Sequence, residues 1–317
     1  MSDSFNLLRV TSKKPLTHDI TLFELQNPGG EALPTFTPGA HIVIETPAGK
    51  RRSYSLCSNP EDRLAWQIAV KRDANGRGGS VSLVDDVQEG DLLMASPWSN
   101  FFELQSKATE FIFVAGGIGI TPILSMIRHL RSQGRENFKL YYCTRDPAST
   151  AFLDELHELG LGQRLTVHHD HGDLNQALDL WPIFESPSKA HVYCCGPQGL
   201  MDSVHDMTGH WPSEHIHFES FGASLDSAAD NQPFEVLLQK TGQRISVPAH
   251  KSILEALRTC GHHVPSSCES GSCGSCRTNL IAGEADHRDM VLRPDEHAHH
   301  IMVCVSRAKS NELVLDL

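Results

Sequence analysis

The sequence predicts a multidomain chain in which an antiparallel β-barrel precedes a doubly wound α/β domain and a small C-terminal domain. Short apolar runs separated by Gly and Pro predict the barrel over residues 1–104. Strands that alternate with helices predict a parallel sheet over residues 105–222. Four cysteines in a three-plus-one pattern mark the last domain, 233–317, which follows a small polar linker at 223–232.

Length and composition narrow the class of protein before any motif is considered. A chain of 317 residues exceeds one ordinary core, and 39% hydrophobic with 21% charged residues is typical of folded domains. The net charge of −12 argues against a nucleic-acid partner, because phosphate binding needs clustered Lys and Arg. The sequence has no apolar run of about 18 residues and no secretory signal, so we expect a cytoplasmic protein without a membrane span.

The individual elements are predicted from hydrophobic periodicity and turn residues. Strands of the barrel are predicted at Ile20–Leu25, His41–Glu45, Ala65–Val70 and Asp91–Ala95. Strands of the parallel sheet are predicted at Phe111–Ala115, Lys139–Tyr142, Leu165–His168, Val192–Cys194 and Ile216–Glu219. Helices between them are predicted at Ile123–Gln133, Ala151–Leu159 and Gly199–Gly209. In the last domain we expect a hairpin, Phe234–Gln239 with Arg244–Val247, and a helix, Ser252–Thr259, that begins with a capping box.

The cysteine pattern carries the most specific chemistry. Cys268, Cys273 and Cys276 are spaced C-x4-C-x2-C, and Cys304 follows after 27 intervening residues, which is the plant-type [2Fe–2S] spacing. Gly271 and Gly274 suit a tight loop whose backbone passes close to the sulfides. A structural zinc site also uses four cysteines, but it usually arranges them as two short-spaced pairs. The pattern therefore favours an iron–sulfur cluster.

A glycine-rich turn predicts a nicotinamide nucleotide site in the second domain. Gly116-Gly117-Ile118-Gly119-Ile120-Thr121-Pro122 follows the predicted strand Phe111–Ala115 and opens a helix, which we expect Thr121 to cap. This places N–H groups and a helix N-terminus where a pyrophosphate binds. The motif differs from G-x-G-x-x-G, and its alternative interpretation is a tight structural turn. Cys195-Gly196-Pro197 ends another strand and is expected to line the same crevice.

A flavin site is expected because a nicotinamide delivers two electrons and a [2Fe–2S] cluster accepts one, so that a cofactor able to do both must connect them. The candidate is Arg52-Ser53-Tyr54-Ser55, which offers an Arg for a phosphate and a Tyr ring for the isoalloxazine. Arg77-Gly78-Gly79-Ser80 adds a turn whose N–H groups suit a phosphate. Taken alone, each motif is weak and has an ordinary strand or loop as its alternative.

Two histidine runs look like metal clusters, although exposed histidine runs usually bind no metal: His168, His169 and His171, and His297, His299 and His300. Cys260-Gly261-His262 looks like half of a Rieske site, but the second C-x-x-H that such a site needs is absent from the sequence.

The motifs R-S-Y-S, G-R-G-G-S, G-G-I-G-I-T-P, C-G-P and C-x4-C-x2-C occur in the order found in one known group. The chain resembles the ferredoxin–reductase superfamily with a fused plant-type ferredoxin and, within it, the phthalate dioxygenase reductase family. The resemblance spans essentially the whole chain, including AVKRDANGRGGS, CCGPQGLMD, HFESFGA and CESGSCGSC. It implies a β-grasp fold for the C-terminal domain, FMN rather than FAD, NADH as the donor, and a Rieske-type aromatic-ring oxygenase as the acceptor.

The resemblance also implies roles for individual residues. The residues implied to contact FMN are Arg52, Ser53, Tyr54, Ser55, Val70, Lys71, Gly78, Gly79 and Ser80. Ser55 is implied near flavin N5, and Phe221 near the flavin. The residues implied to border NADH are Gly117, Thr121 and Cys195. Ser55 and Cys195 are the expected catalytic residues.

The expected reaction passes a hydride from NADH to flavin N5 between the first two domains, then single electrons to the cluster and the oxygenase. The Cys268–Cys276 loop is expected beside the flavin edge, in a monomer. An alternative of the same chemistry is the reductase of a vanillate-type O-demethylase or related monooxygenase. Two other classes remain open: a self-sufficient monooxygenase, which needs a further oxygen-activating domain, and a redox sensor that uses the cluster as a switch.

Overall fold

The computed structural model describes residues 5–76, 78–221, 231–266, 269, 271, 274–289, 291–293 and 295–317. The chain divides into two compact units, Met1–Phe218 and Glu219–Leu317, each with its own core. The predicted linker, 223–232, lies outside the described residues except for its last two positions. The bounds given above for the three domains and the linker stay predictions.

The first part of unit one is a six-stranded antiparallel sheet that closes into a barrel, as predicted. Its strands run in the order β4-β3-β6-β1-β2-β5, and a bridge between Leu56 and Ile68 joins the two end strands. The helix α1 (Gly79–Asp86) lies between β5 and β6 in the chain. The strands are β1 (Asn6–Pro15), β2 (Ile20–Gln26), β3 (His41–Glu45), β4 (Arg51–Ser55), β5 (Trp66–Lys71) and β6 (Leu92–Ala95).

Alternating burial explains why these runs form strands. In β2 the side chains of Phe23 and Leu25 are buried, whereas Glu24 between them is partly exposed. The strands predicted at 20–25, 41–45, 65–70 and 91–95 are confirmed to within one residue. The predicted strands did not include β1, and they included β4 only as the alternative interpretation of the R-S-Y-S motif, because neither shows a clean apolar alternation.

The second part of unit one is a five-stranded sheet in the order β11-β10-β7-β8-β9. The pairs β10–β7, β7–β8 and β8–β9 are parallel, which confirms the predicted parallel sheet. The strands are β7 (Phe111–Gly116), β8 (Phe138–Thr144), β9 (Leu165–His169), β10 (His191–Cys195) and β11 (Ile216–Glu219). The helices are α2 (Ile120–Ser132), α3 (Leu153–Glu158), α4 (Trp181–Phe184) and α5 (Gln198–Met207).

The strand order has a switch point between β7 and β10. The chain builds outward in one direction through β8 and β9 and then in the other through β10 and β11. In open parallel sheets a ligand binds at the carboxyl ends of the strands that flank such a point. Here those ends are Gly116 and Cys195.

One apolar core connects the barrel to the parallel sheet. Ile20, Cys57 and Ala69 of the barrel belong to the same buried cluster as Phe113 and Ile127. The two parts are therefore packed together as one compact unit.

In its described residues, unit two combines a five-stranded sheet, in the order β13-β12-β18-β14-β16, with the helix Ile253–Thr259. The predicted hairpin is confirmed, and its strand β12 also pairs in parallel with β18. The predicted capping box of α6 is confirmed as well, because Ser252 Oγ accepts from the Glu255 amide at 3.1 Å. The elements are β12 (Phe234–Leu238), β13 (Arg244–Val247), α6 (Ile253–Thr259), β14 (Arg277–Ala282), β15 (Ala285–Asp286), β16 (His300–Met302), β17 (Arg307–Ala308) and β18 (Glu312–Leu315).

Three histidines cluster beside Tyr193 at the β10–β11 edge. His191 Nδ1 lies 3.0 Å from His217 Nε2, and the ring of His217 stacks on Tyr193 with centroids 4.4 Å apart. The ring centroids of His191 and His215 are also 4.4 Å apart. Burial, reinforced by the two neighbouring imidazoles, lowers the pKa of His217 to about 4.

The His217 cluster is expected to make stability decrease with acid. Between pH about 6.5 and about 4, His217 binds a proton in the unfolded chain but not in the folded one. The contribution of His217 to the free energy of unfolding is therefore fully present above this pH range and is lost as the pH falls through it. We expect a loss of about 1–2 kcal/mol in the free energy of unfolding between pH 7.5 and 5, after screening is taken into account. Urea unfolding of the His217→Phe variant should show this loss removed. The same substitution at exposed His157 is the control and should leave the decrease intact.

Candidate functional site

The candidate flavin strand is β4, which pairs with β3 so that Ser55 lies opposite His41. The pleat places Arg52 and Tyr54 on one face and Ser53 and Ser55 on the other. Ser53 is exposed, whereas Ser55 is buried at 5% exposure. The contacts of both serines with FMN stay predictions.

Tyr54 presents an unsatisfied polar group at this strand. Its hydroxyl is buried and has no hydrogen-bond partner within the described residues. Burial raises the pKa of Tyr54 to about 12, against a smaller opposing effect of the Arg52 charge. A buried hydroxyl without a partner is costly, so this donor fits a ligand acceptor that the chain itself does not supply.

Arg52 lies beside a helix N-terminus. The predicted turn at Gly78 and Gly79 is the start of α1: Gly78 is its N-cap, with no side-chain cap, and Gly79 its first residue. A Cβ at Gly79 would lie 3.0 Å from Arg52 Cγ and 3.1 Å from Arg52 Nε, so the arginine side chain packs on this first turn. A cation next to free helix N–H groups is a suitable site for a phosphate.

The other predicted flavin contacts lie around this pair. Ser80 Oγ accepts from the Asp73 amide at 3.1 Å and so braces the loop before α1. Val70 is fully buried in β5, and Lys71 is exposed with Nζ 3.7 Å from Asp19 Oδ2. Arg77 lies outside the described residues.

The nucleotide turn differs from its prediction at the cap. Gly117–Gly119 forms a 3-10 turn that runs directly into α2, with Gly119 as the N-cap. The prediction that Thr121 caps this helix is wrong, because the helix has already begun at Ile120. Thr121 Oγ1 instead donates to the Ile118 carbonyl at 3.0 Å, which braces the turn from inside. Pro122 lies in the first turn of the helix, as predicted.

Close backbone packing brings this turn against the segment after β10. A Cβ at Gly119 would lie 2.1 Å from the Cys195 carbonyl oxygen. One at Gly116 would lie 2.5 Å from Pro197 Cδ. Only glycine permits such an approach, so the glycines join the carboxyl ends of β7 and β10 at the switch point. Gly117 also accepts a hydrogen bond from the Tyr142 hydroxyl at 3.2 Å.

Cys195 is fully buried, in the same apolar cluster as Phe113 and Ile123. Its carbonyl therefore belongs to the packed turn, while its predicted contact with NADH stays a prediction. Phe221 is 47% exposed and falls in the second unit, and its place near the flavin likewise stays a prediction.

Two of the four predicted cluster ligands are described. Cys276 comes directly before β14, Cys304 follows β16 by two residues, and both are buried. The pairing of Arg277 with Met302 places both cysteines at the same end of this strand pair. Cys268 and Cys273 lie outside the described residues.

Gly271, which lies between Cys268 and Cys273 in sequence, is close to the Cys304 segment. It has a φ of +78°, and a Cβ there would lie 2.7 Å from Val305 Cγ2. Gly271 is therefore packed against the residue that follows Cys304 in the chain. This convergence fits a group held by thiolates from both segments.

Two side chains that sequence reasoning missed support this loop. Arg258 of α6 lies 2.7 Å from Glu269 Oε1 and also donates to Ser266 Oγ. Asp289, whose side chain is fully buried, accepts from the Leu292 amide at 2.8 Å beside Gly271. An isolated Arg and an isolated Asp carry no sequence signal that distinguishes them from ordinary surface residues.

The histidine runs do not form metal centres in the part of the chain that is described. No group of three or more His, Cys, Asp or Glu residues there is arranged to hold a metal ion. His297 instead stacks on His287, with ring centroids 4.0 Å apart.

Comparisons with known proteins match all three parts of the chain. An oxidoreductase FAD-binding domain matches residues 7–101, and an oxidoreductase NAD-binding domain matches residues 113–206. A 2Fe-2S iron-sulfur cluster binding domain matches residues 236–309.

Whole-length relatives have the same arrangement. The chain is 56% identical to phthalate dioxygenase reductase of Burkholderia cepacia, over 99% of this chain and 98% of that protein. It is 55% identical to the phthalate 4,5-dioxygenase oxygenase reductase subunit of Pseudomonas putida, over 100% and 98%. A solved structure of phthalate dioxygenase reductase, described as modular for electron transfer from pyridine nucleotides to [2Fe-2S], matches with a TM-score of 0.81. That match is 56% identical over 99% of this chain and 98% of the other.

Replacing Arg52 should weaken flavin binding without unfolding the barrel. We expect Arg52→Gln to raise the flavin dissociation constant about 10- to 100-fold, since a charged hydrogen bond contributes about 1.5–3 kcal/mol. Quenching of flavin fluorescence measures this constant. Arg51→Gln is the matched control, because Arg51 is an exposed arginine with no predicted flavin contact: it lies over the Phe5 ring, 4.6 Å from its centroid, and 3.6 Å from Glu45. Equal flavin dissociation constants for the two variants would contradict the predicted role of Arg52 in flavin binding.

A side chain at Gly119 should separate the two strand ends at the switch point. We expect Gly119→Ala to lose most NADH oxidation, because its Cβ overlaps the Cys195 carbonyl oxygen, which is backbone and cannot move cheaply. Gly199→Ala in α5 is the control: nothing lies within 4 Å of its Cβ, and we expect unchanged or slightly higher thermal stability. NADH oxidation and thermal unfolding of both variants test the contrast.

Proposed function

The chain belongs to the phthalate dioxygenase reductase family, and we propose that it is the NADH-dependent reductase component of a two-component Rieske-type aromatic-ring dioxygenase. It is an oxidoreductase with flavin-, NAD- and iron–sulfur-binding domains in one chain. The observation that carries the proposal is the 56% identity across 99% of the chain. Electrons pass from NADH through FMN and the [2Fe–2S] cluster to the oxygenase.

FMN, when bound, supplies the conversion of a two-electron donor into one-electron steps. Arg52 and the first turn of α1 bind its phosphate, and the Tyr54 hydroxyl supplies a further donor. Ser55 donates a hydrogen bond at flavin N5. The protein contributes binding and orientation here, because hydride transfer needs no separate general acid.

The matching family model is described as FAD-binding, whereas we propose FMN. Two observations support the smaller cofactor: the identity to phthalate dioxygenase reductase, which uses FMN, and the Gly78–Gly79 helix start packed on Arg52, which suits a terminal phosphate. Mass spectrometry of the cofactor released by acid distinguishes the two flavins directly.

NADH is proposed to bind at the switch point of the parallel sheet. The helix start at Gly117–Ile120 offers N–H groups to its pyrophosphate. Thr121 keeps this turn in shape through its bond to Ile118, and Cys195 borders the nicotinamide. The four cluster ligands are proposed to be Cys268, Cys273, Cys276 and Cys304.

The acceptor is an oxygenase component, and we further propose a monomer that acts in the cytoplasm. Within the described residues no helix is long and apolar enough to cross a membrane. Reduction of purified aromatic-ring dioxygenases, compared with O-demethylase oxygenases, identifies the partner class.

An anaerobic NADH titration tests the electron path. We expect absorbance of both flavin and iron–sulfur cluster to bleach, with an end point at about 1.5 NADH per chain, because the flavin takes two electrons and the cluster one. In a Cys304→Ser variant the cluster absorbance should be lost while NADH still bleaches the flavin. If neither chromophore bleaches in the wild-type protein, or if the four thiols hold zinc, the proposed function is wrong.

A further inference from the structure

Arg128 of α2 connects three segments of unit one. Its side chain is 16% exposed. Nη1 donates to the Cys57 carbonyl and, at 3.1 Å, to Gln67 Oε1. Nε donates to Glu155 Oε1 at 2.8 Å, and Nη2 binds the same oxygen. One guanidinium thus joins α2 to the barrel and to α3.

The barrel acceptors lie at the seam where β4 and β5 meet. The Cys57 amide donates to the Gln67 carbonyl at 2.9 Å, next to the Leu56–Ile68 bridge. Cys57 follows Ser55 by two residues, and Gln67 precedes Val70 by three. Arg128 therefore holds the point at which the two strands carrying the candidate flavin-ring contacts are joined.

Arg128, the donor of these hydrogen bonds, lies on the helix that begins at the nucleotide turn. Arg128 lies eight residues after Ile120, the first residue of α2, which is about 12 Å along a helix. The regular rise of a helix fixes the separation between these two positions. One helix therefore connects the nucleotide turn, at its first residue, with the flavin seam, at Arg128.

The other contacts of α2 with the barrel are mainly apolar, apart from His129 Nδ1, which lies 3.8 Å from Glu61 Oε1, and apolar packing does not fix register. Ile123 and Ile127 share a core with Cys57 and Ala69. A Cβ at Gly39 would lie 2.9 Å from Met126 Cε, so the barrel and the helix also pack closely there. Apolar packing is non-directional, whereas hydrogen bonds from a planar guanidinium require one geometry.

We propose that Arg128 is a positioning residue for hydride transfer, holding the nucleotide-binding helix in register with the strands that carry the candidate flavin contacts. The inference rests on the proposed function. In that reaction the C4–H bond of the nicotinamide breaks, its proton and electron pair pass to flavin N5, and NADH becomes NAD⁺. Reacting atoms must approach to about 3–3.5 Å, and a displacement of about 1 Å costs on the order of 100-fold in rate.

Glu155 keeps the guanidinium in place. A charge that is mostly removed from water needs a partner, and Glu155 supplies one from the opposite side of the barrel contacts. Lysine cannot replace this arrangement, because it lacks the planar fork that reaches a carbonyl, an amide and a carboxylate together.

The test compares Arg128→Met with a matched arginine. Arg135 donates from Nη2 to the Ala108 carbonyl and lies over the Phe111 ring, so all its contacts stay within the nucleotide-binding part. Stopped-flow reduction of the flavin under anaerobic conditions gives the limiting rate and the NADH dissociation constant separately. We expect Arg128→Met to lower the limiting rate about 10- to 100-fold, with the dissociation constant within about threefold of wild type.

Two readouts separate positioning from a loss of fold. The flavin content and thermal midpoint of Arg128→Met should stay close to those of Arg135→Met. The long-wavelength absorbance that reports stacking of the nicotinamide on the flavin should weaken in Arg128→Met alone. If Arg128→Met does not retain flavin, Arg128→Lys and Gln67→Leu test the positioning role in its place. Each of these variants removes only part of the contact, so we expect limiting rates between those of wild type and the full loss.

A wild-type limiting rate in Arg128→Met, or an equal loss in Arg135→Met, overturns the inference. Unchanged rates in Arg128→Lys and Gln67→Leu overturn it when the first variant is unstable. Failure of the proposed function is a different result: the wild-type protein itself would then not be reduced by NADH.

Discussion

The apolar core shared by the barrel and the parallel sheet is the constraint on which the first unit depends. Ile20, Cys57 and Ala69 are buried in the same cluster as Phe113 and Ile127. Because this core is continuous, the candidate flavin strand and the nucleotide turn lie in one compact body rather than in two that move independently. Hydride transfer requires contact between the nicotinamide and the flavin, and a shared core keeps the two parts proposed to bind them in fixed positions.

The sequence predicted the regular parts of the fold because they repeat a simple pattern. The strands of the parallel sheet are nearly continuous apolar runs, and their predicted bounds are correct to within two residues. By contrast β4 was considered only as an alternative interpretation of its motif, because its sequence RRSYS carries polar groups where a strand usually alternates. The polar residues that make β4 a candidate flavin site are the same residues that disrupt the alternating pattern from which a strand is predicted.

The candidate site residues also fall into two groups: those that belong to short sequence motifs and those whose roles depend on contacts seen only in the structure. The cysteine spacing, the glycine turn and the C-G-P segment are short motifs, so sequence identified them directly. Thr121 was assigned the wrong role because a 3-10 turn started the helix early, which residue preferences do not reveal. Arg128, Arg258 and Asp289 were missed because their importance lies in contacts that no short motif reveals, with Cys57, Glu269 and Gly271.

The division of the chain into two units corresponds to a change in the chemistry each must perform. The two parts proposed to exchange a hydride share a core and are further joined by Arg128, because a bond is broken and formed between their ligands. The cysteine-bearing part has a core of its own, built on residues such as Val236, Leu257 and Leu313. A single electron carries no atom with it, so its transfer imposes no requirement for a common core. Covalent continuity of the chain keeps the third part at high effective concentration, while its fold remains independent.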